Sequence, residues 1–280
     1  VASPLTRSLI IAGFVLLHAG ALQGNSELPA GNSKTGALPT GAEVVGRINE
    51  RDEGAFVSRN LTMKLVGRRG KVRERTTRMY RKYFGKDKHT IFFYLSPKNV
   101  KNTAFLTFDY ADTARQDDQW LYLPAMRKVR RISASNRGDY FLGTDLSYED
   151  VKLESRISVN DYIHITTGES EIDGHRCILI ESTPVNQLIA RELGYSKVIS
   201  CVDIEIWMAR ESKFWDIAGN LLKTVQVKDI RLVEGIWTQH NIEVKNHKTG
   251  HSTSMIYGNV DYKTNIDDSV FTRNALKRGI

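Results

Sequence analysis

From residue 55 onward, hydrophobic and polar positions alternate with period two, the pattern of strands that bury one face. Such runs cover 61–65, 71–84, 90–95, 105–110, 119–123, 162–171, 176–182, 197–208, 214–217, 221–233, 237–246 and 252–262. Turn residues separate them, among them Gly67-Arg68-Arg69-Gly70, Gly219-Asn220 and Thr249-Gly250. Short turns of this kind join antiparallel neighbours. Helical signals are fewer. Thr40 and Glu43 form a capping box ahead of the apolar stripe Val44, Val45, Ile48. Segments 125–133, 145–151 and 185–193 read as short helices, and 268–276 as a terminal helical turn. The prediction is an α+β chain, mainly β, built on one large antiparallel sheet. Twist accumulates with each added strand, so a sheet this wide must curl toward a barrel or fold over on itself. The expected result is an incomplete barrel, with short helices forming a lid over an apolar cavity. That geometry suits a ligand.

The first residues follow a different pattern. Arg7, the apolar run 9–17 and Ala19-Gly20-Ala21 read as a secretory signal peptide cleaved after Ala21. Residues 22–40, rich in Gly, Ser, Asn and Pro, read as a flexible leader, and 41–280 as a single domain. Export places the mature chain in the periplasm or outside the cell. No cysteine lies near the cut to accept a lipid anchor.

Charge adds a partner class. Forty Lys and Arg against 32 Asp and Glu give a net charge of +8, which suits anionic partners such as phospholipid headgroups. Export argues against nucleic acid and leaves peripheral membrane contact. The basic run Lys71, Arg73, Arg75, Arg78, Arg81, Lys82 has charges on both phases of its strand. It reads as an edge strand guarded against aggregation, or as a cationic rim for headgroups. Cys177 and Cys201 fall on one face if their strands pair, either bridged or as two buried thiols.

Catalytic chemistry is sparse. No nucleophile elbow, zinc-protease motif or phosphate loop occurs. His247 and His251 flank a turn, a poor frame for a metal. Asp145, Glu149 and Asp150 are read as counterions to Arg127, Lys128, Arg130 and Arg131 rather than as acid/base catalysts. No enzyme activity, metal or cofactor is expected.

The stretch QWLYLPAMRKVRRI (119–132) followed by DYFLGTDLSYEDV (139–151) resembles bacterial outer-membrane lipoprotein-sorting proteins of the LolA-like type, in an uncharacterised branch. RINERDEG (47–54), DGHRCILIESTP (173–184), GNLLKTVQV (219–227), GHSTSMIYGNVDY (250–262) and SVFTRNAL (269–276) agree in order. The resemblance implies a LolA/LolB-like half-barrel and a periplasmic carrier of lipid or lipoprotein acyl chains between membranes. Members of that branch often accompany large efflux-type (RND/MMPL-like) transporters. The alternative role is therefore an accessory subunit of an inner-membrane transporter. For a carrier, Phe92, Tyr94, Leu106, Phe108, Trp120, Tyr122 and Leu123 are the cavity candidates. Arg127, Lys128, Arg130 and Arg131 are the candidates for meeting headgroups or a membrane partner.

Overall fold

The computed structural model describes residues 37–112 and 114–280. The signal peptide and most of the leader fall outside the described residues. Helix α1 (Gly41–Glu50) begins at the expected capping box: Thr40 Oγ1 accepts from the Glu43 amide at 3.2 Å, and the Glu43 carboxylate accepts from the Thr40 amide at 2.7 Å. A Cβ at Gly41 would lie 2.4 Å from the backbone of His164, so only glycine lets this helix start so close to the sheet.

The strands are β1 (Phe56–Val66), β2 (Val72–Phe84), β3 (Asp87–Ser96), β4 (Ala104–Asp109), β5 (Asp118–Leu123) and β6 (Lys128–Arg131). After helix α2 (Tyr148–Leu153) come β7 (Tyr162–Ile172) and β8 (His175–Pro184), then helix α3 (Gln187–Leu193). The chain continues through β9 (Tyr195–Asp203), β10 (Met208–Asp216), β11 (Leu221–Val233), β12 (Ile236–Asn246) and β13 (Ser252–Asp261) to helix α4 (Arg273–Arg278). All thirteen form one antiparallel sheet in the order β6-β5-β4-β3-β2-β1-β13-β12-β11-β10-β9-β8-β7. Each half of the chain is thus a meander, and the β1–β13 pairing joins the halves. β6 and β7 are left as edges, so the barrel is not closed.

Three expectations are corrected. The basic strand β2 lies between β1 and β3 and is not an edge. Its charges are tolerated there because Lys71 and Arg73 around its start are exposed, while the later ones are partnered: Arg78 donates to Asn60 and Ser58, Arg81 pairs with Glu53, and Lys82 with Asp268. The basic edge strand is instead β6, where a helix was expected; Pro124–Met126 forms only a single 3-10 turn before it. The run 197–208 is two strands, with a reversal over 204–207. No Gly, Asn or Pro marks that turn; Asp203 holds it, accepting from the Glu205 amide at 2.8 Å and from Arg210 Nε at 2.7 Å. Trp207 takes a left-handed φ of 51° there.

Both faces of the sheet are apolar. On the concave face, α1 packs Val44, Val45 and Ile48 against Ile178, Ile180 and Val202. On the convex face, the C-terminal segment covers Ile91, Phe93 and Leu106 with Ile266, Phe271 and Leu276. Cys177 and Cys201, on β8 and β9 with Cα atoms 5.2 Å apart, are joined by a disulfide.

Candidate functional site

The concave face has a packed half and a hollow half, and side-chain size decides which is which. On β1 to β5 the inward residues are large, including Leu61, Met79, Phe92, Tyr94 and Phe105. The segment 141–151 lowers Phe141, Leu146 and Tyr148 onto them. Phe141 meets Phe105 edge-on, with ring centroids 5.0 Å apart, and Tyr148 likewise at 5.4 Å. Aromatic pairs at these separations fill space and add about 0.5–1.5 kcal/mol each beyond their buried area.

Beneath the hollow half, β8 to β10 place four small residues inward: Ser182, Ser200, Ala209 and Ser212. Above them α2 and the loop 154–158 form a roof, and a cavity of about 150 Å³ remains. Its other walls are mainly apolar, from Val198, Met208, Phe214, Val225, Ile242 and Met255 below and Val151 and Ile157 above. The serine hydroxyls spend their hydrogen bonds locally. Ser200 and Ser212 bond each other at 2.8 Å, and Ser182 bonds His164 Nδ1 at 2.8 Å. The hollow therefore presents apolar surface with few free polar groups.

Buried charges fasten the roof. The Lys223 ammonium, fully buried on β11, donates to Tyr195 Oη at 2.7 Å and to the Asp145 carbonyl at 3.2 Å, and it pairs with Asp150. Lys152 pairs with Glu149 at 2.8 Å and with Asp117. Arg137 makes a two-pronged contact with Asp161 at 2.8 and 2.9 Å and also reaches Glu192 at 3.2 Å. Burial raises the Glu149 carboxyl above the usual carboxylate range, opposed by Lys152 and Arg137. Asp145 accepts from Thr253 Oγ1 at 2.7 Å and bonds His251 Nδ1 at 2.5 Å. Asp150 and Glu149 thus serve as counterions, but to Lys223, Lys152 and Arg137, while Asp145 is held by hydrogen bonds to Thr253 and His251. The basic run 127–131 is not their partner, because α2 turns them inward.

The cavity candidates separate by strand parity. Phe92 lines the hollow. Tyr94 is buried in the packed half of the same face, and Leu123 packs against that cluster. Leu106, Phe108, Trp120 and Tyr122 sit on the convex face with Phe271 and Leu276, outside the cavity. Arg127, just ahead of edge strand β6, and Lys128, Arg130 and Arg131 on it are exposed, and none lines the cavity; Arg131 pairs with Asp118 at 2.6 Å. The lining strands β8 to β13 carry none of the cavity candidates; the one local signal is a serine in each of two aliphatic alternations, Ser182 after Ile178 and Ile180, and Ser200 between Val198 and Val202.

Among the described residues, no group of three or more His, Cys, Asp and Glu is placed to hold a metal, and no helix is long and apolar enough to cross a membrane. A family model described as an uncharacterized protein matches residues 86–278. A DUF1329 family protein from Desulfovibrio piger is 28% identical, with a TM-score of 0.77 over 84% of this chain and 97% of that one. A putative outer membrane lipoprotein-sorting protein domain from Vibrio parahaemolyticus is also 28% identical, with a TM-score of 0.77 over 85% and 98%. A LolA superfamily protein from Nitrosomonas europaea shares the fold at 18% identity, with a TM-score of 0.64 over 85% and 100%. No curated protein matches the chain.

Proposed function

We propose, from the premise that the chain belongs to the DUF1329 family and has a LolA-like fold, that it is a periplasmic carrier of lipid or lipoprotein acyl chains. The chains occupy the hollow between α2 and the concave sheet during transfer between membranes. The observation that carries this reading is the apolar cavity itself, kept open by Ser182, Ser200, Ala209 and Ser212. Each methylene moved from water into such a site gains about 0.8 kcal/mol, so a tail binds by area and needs no reactive group. The loop 154–158 is the movable wall. It has no regular secondary structure, and Asn49 holds it through the Ile157 carbonyl at 2.8 Å and the Ile157 amide at 3.0 Å.

Native mass spectrometry of the exported protein tests the reading. Bound lipid is expected, with loss of that mass in Ala209→Trp, which fills the hollow. Protein that purifies empty and takes up no lipid from vesicles contradicts it.

A second reading, an accessory subunit docked on an inner-membrane transporter, draws on exposed apolar residues on and beside edge strand β7: Val159, Ile163, Ile165, Val185 and Leu188. It expects co-purification with the transporter, lost in Ile163→Asp.

A further inference from the structure

Four arginines converge at one end of the cavity, where the loop 154–158 meets the α1–β1 corner. The side chains of Arg51, Arg59 and Arg81 are only 9%, 6% and 4% exposed, and that of Arg156 is 27% exposed. Two carboxylates answer them. Glu53 accepts from Arg51 Nη2 at 3.0 Å and Arg81 Nη1 at 3.1 Å, and it lies 3.3 Å from Arg156 Nε. The hydroxyls of Ser155 and Tyr83 donate to it as well, at 2.6 and 2.7 Å. Burial alone would raise the Glu53 carboxyl; Arg81, Lys88 and Arg51 outweigh that and hold it well below the usual range. Glu53 has no capacity left. Glu154 pairs with Arg59.

Four guanidinium groups against two carboxylates leave two positive charges in excess. Buried charge without a partner is costly, by several kcal/mol per ion. The Nε groups of Arg51 and Arg81 are buried and have no acceptor. The cluster is also continuous with the cavity. Glu154, Ser155, Met208 and Gln239 border both the hollow and the cleft among the arginines. Arg59 lies 4.3 Å over the ring of Tyr257, itself a wall of the hollow.

We propose that this cluster is an anion subsite, in which a carboxylate or phosphate of the carried molecule sits against Arg59 and Arg51 while its tail enters the hollow. The inference rests on the carrier reading and gives the cargo a chemical class, the anionic amphiphiles. The free space among the arginines is about 20 Å³, room for little more than a water molecule. Glu154 therefore marks the seat that the ligand's anion takes. Its backbone, at φ 56° and ψ −105°, is unfavourable for a residue with a side chain, so the strain there favours its displacement.

The test titrates delipidated protein with oleate, with oleyl alcohol and with inorganic phosphate alone. Oleate and oleyl alcohol share a tail and differ in charge. Oleate is expected to bind at least about tenfold more tightly than the alcohol. Glu154→Gln removes the competing carboxylate and widens that preference. Arg59→Gln combined with Glu154→Gln, which strands no buried charge, abolishes it while the alcohol still binds. Equal affinity for the two tails overturns the subsite and leaves the carrier reading standing. Failure of both tails to bind removes both. Phosphate binding as tightly as oleate shows a site for a lone anion and overturns the amphiphile assignment.

Discussion

Replacing Lys223 by Met removes the charge that fastens α2 to the sheet. The ammonium is fully buried and contacts Asp150, the Tyr195 hydroxyl and the Asp145 carbonyl. Breaking a buried ion pair from one side costs about 3–5 kcal/mol, because the other charge stays behind. Asp150 keeps two donors, the Ser147 amide at 2.6 Å and Tyr195 Oη at 3.1 Å. The expected loss is therefore near the lower end of that range, about 3 kcal/mol. For a chain of this size that is a fall in Tm of roughly 6–12 °C, read by circular dichroism at neutral pH. Amide exchange should rise in α2 before it rises in β11. Lys223→Met with Asp150→Asn removes both charges and should recover at least half the loss, a coupling of about 1.5 kcal/mol or more. A drop below about 2 °C in the single variant, or strict additivity in the double, would refute the fastening role.

Three further outcomes follow from the packing. Replacing both Cys177 and Cys201 by Ser frees a loop with a sequence separation of 24 and should lower stability by about 3 kcal/mol in the chain-entropy model, measured by urea unfolding with and without reductant. His89 stacks on Phe108 at 3.7 Å, and burial lowers its pKa from 6.5 to about 4, with Asp87 opposing and Arg115 reinforcing. The unfolded chain takes the proton first, so stability is complete above 6.5 and declines as pH falls toward about 4; His89→Gln should flatten urea midpoints across that window. Gly41→Ala places a Cβ 2.4 Å from the His164 backbone and should cost about 1–3 kcal/mol, seen as an earlier chemical-denaturation midpoint and faster exchange in α1.

The strands were legible because alternation survives wherever one face is packed. Which face encloses the hollow was not legible, because both faces are apolar. Phe105 and Leu121 point inward, while their neighbours Leu106, Trp120 and Tyr122 point outward to a cover supplied by residues 266–276. Only the distant Phe271 and Leu276 explain the outward aromatics. The hollow sits over Ser182, Ser200, Ala209 and Ser212, small side chains that no aromatic pattern announces. The arginine cluster was illegible for a related reason. Arg51, Glu53, Arg59, Arg81, Glu154 and Arg156 span more than a hundred positions, and only the folded sheet brings them together. The conspicuous basic run 127–131 occupies the exposed edge strand, where lysine and arginine discourage sheet-to-sheet pairing.

Photo-crosslinking with a fatty acid that carries a diazirine at its methyl end asks where a tail resides. Mass spectrometry of the digested adduct should find the label on Val225, Ile242, Met255 or Phe92, the walls beneath α2. Labelling confined to Phe84, Phe108 or Trp120 on the convex face, or none at all with lipid in excess, would contradict a carrier that shelters acyl chains inside the sheet.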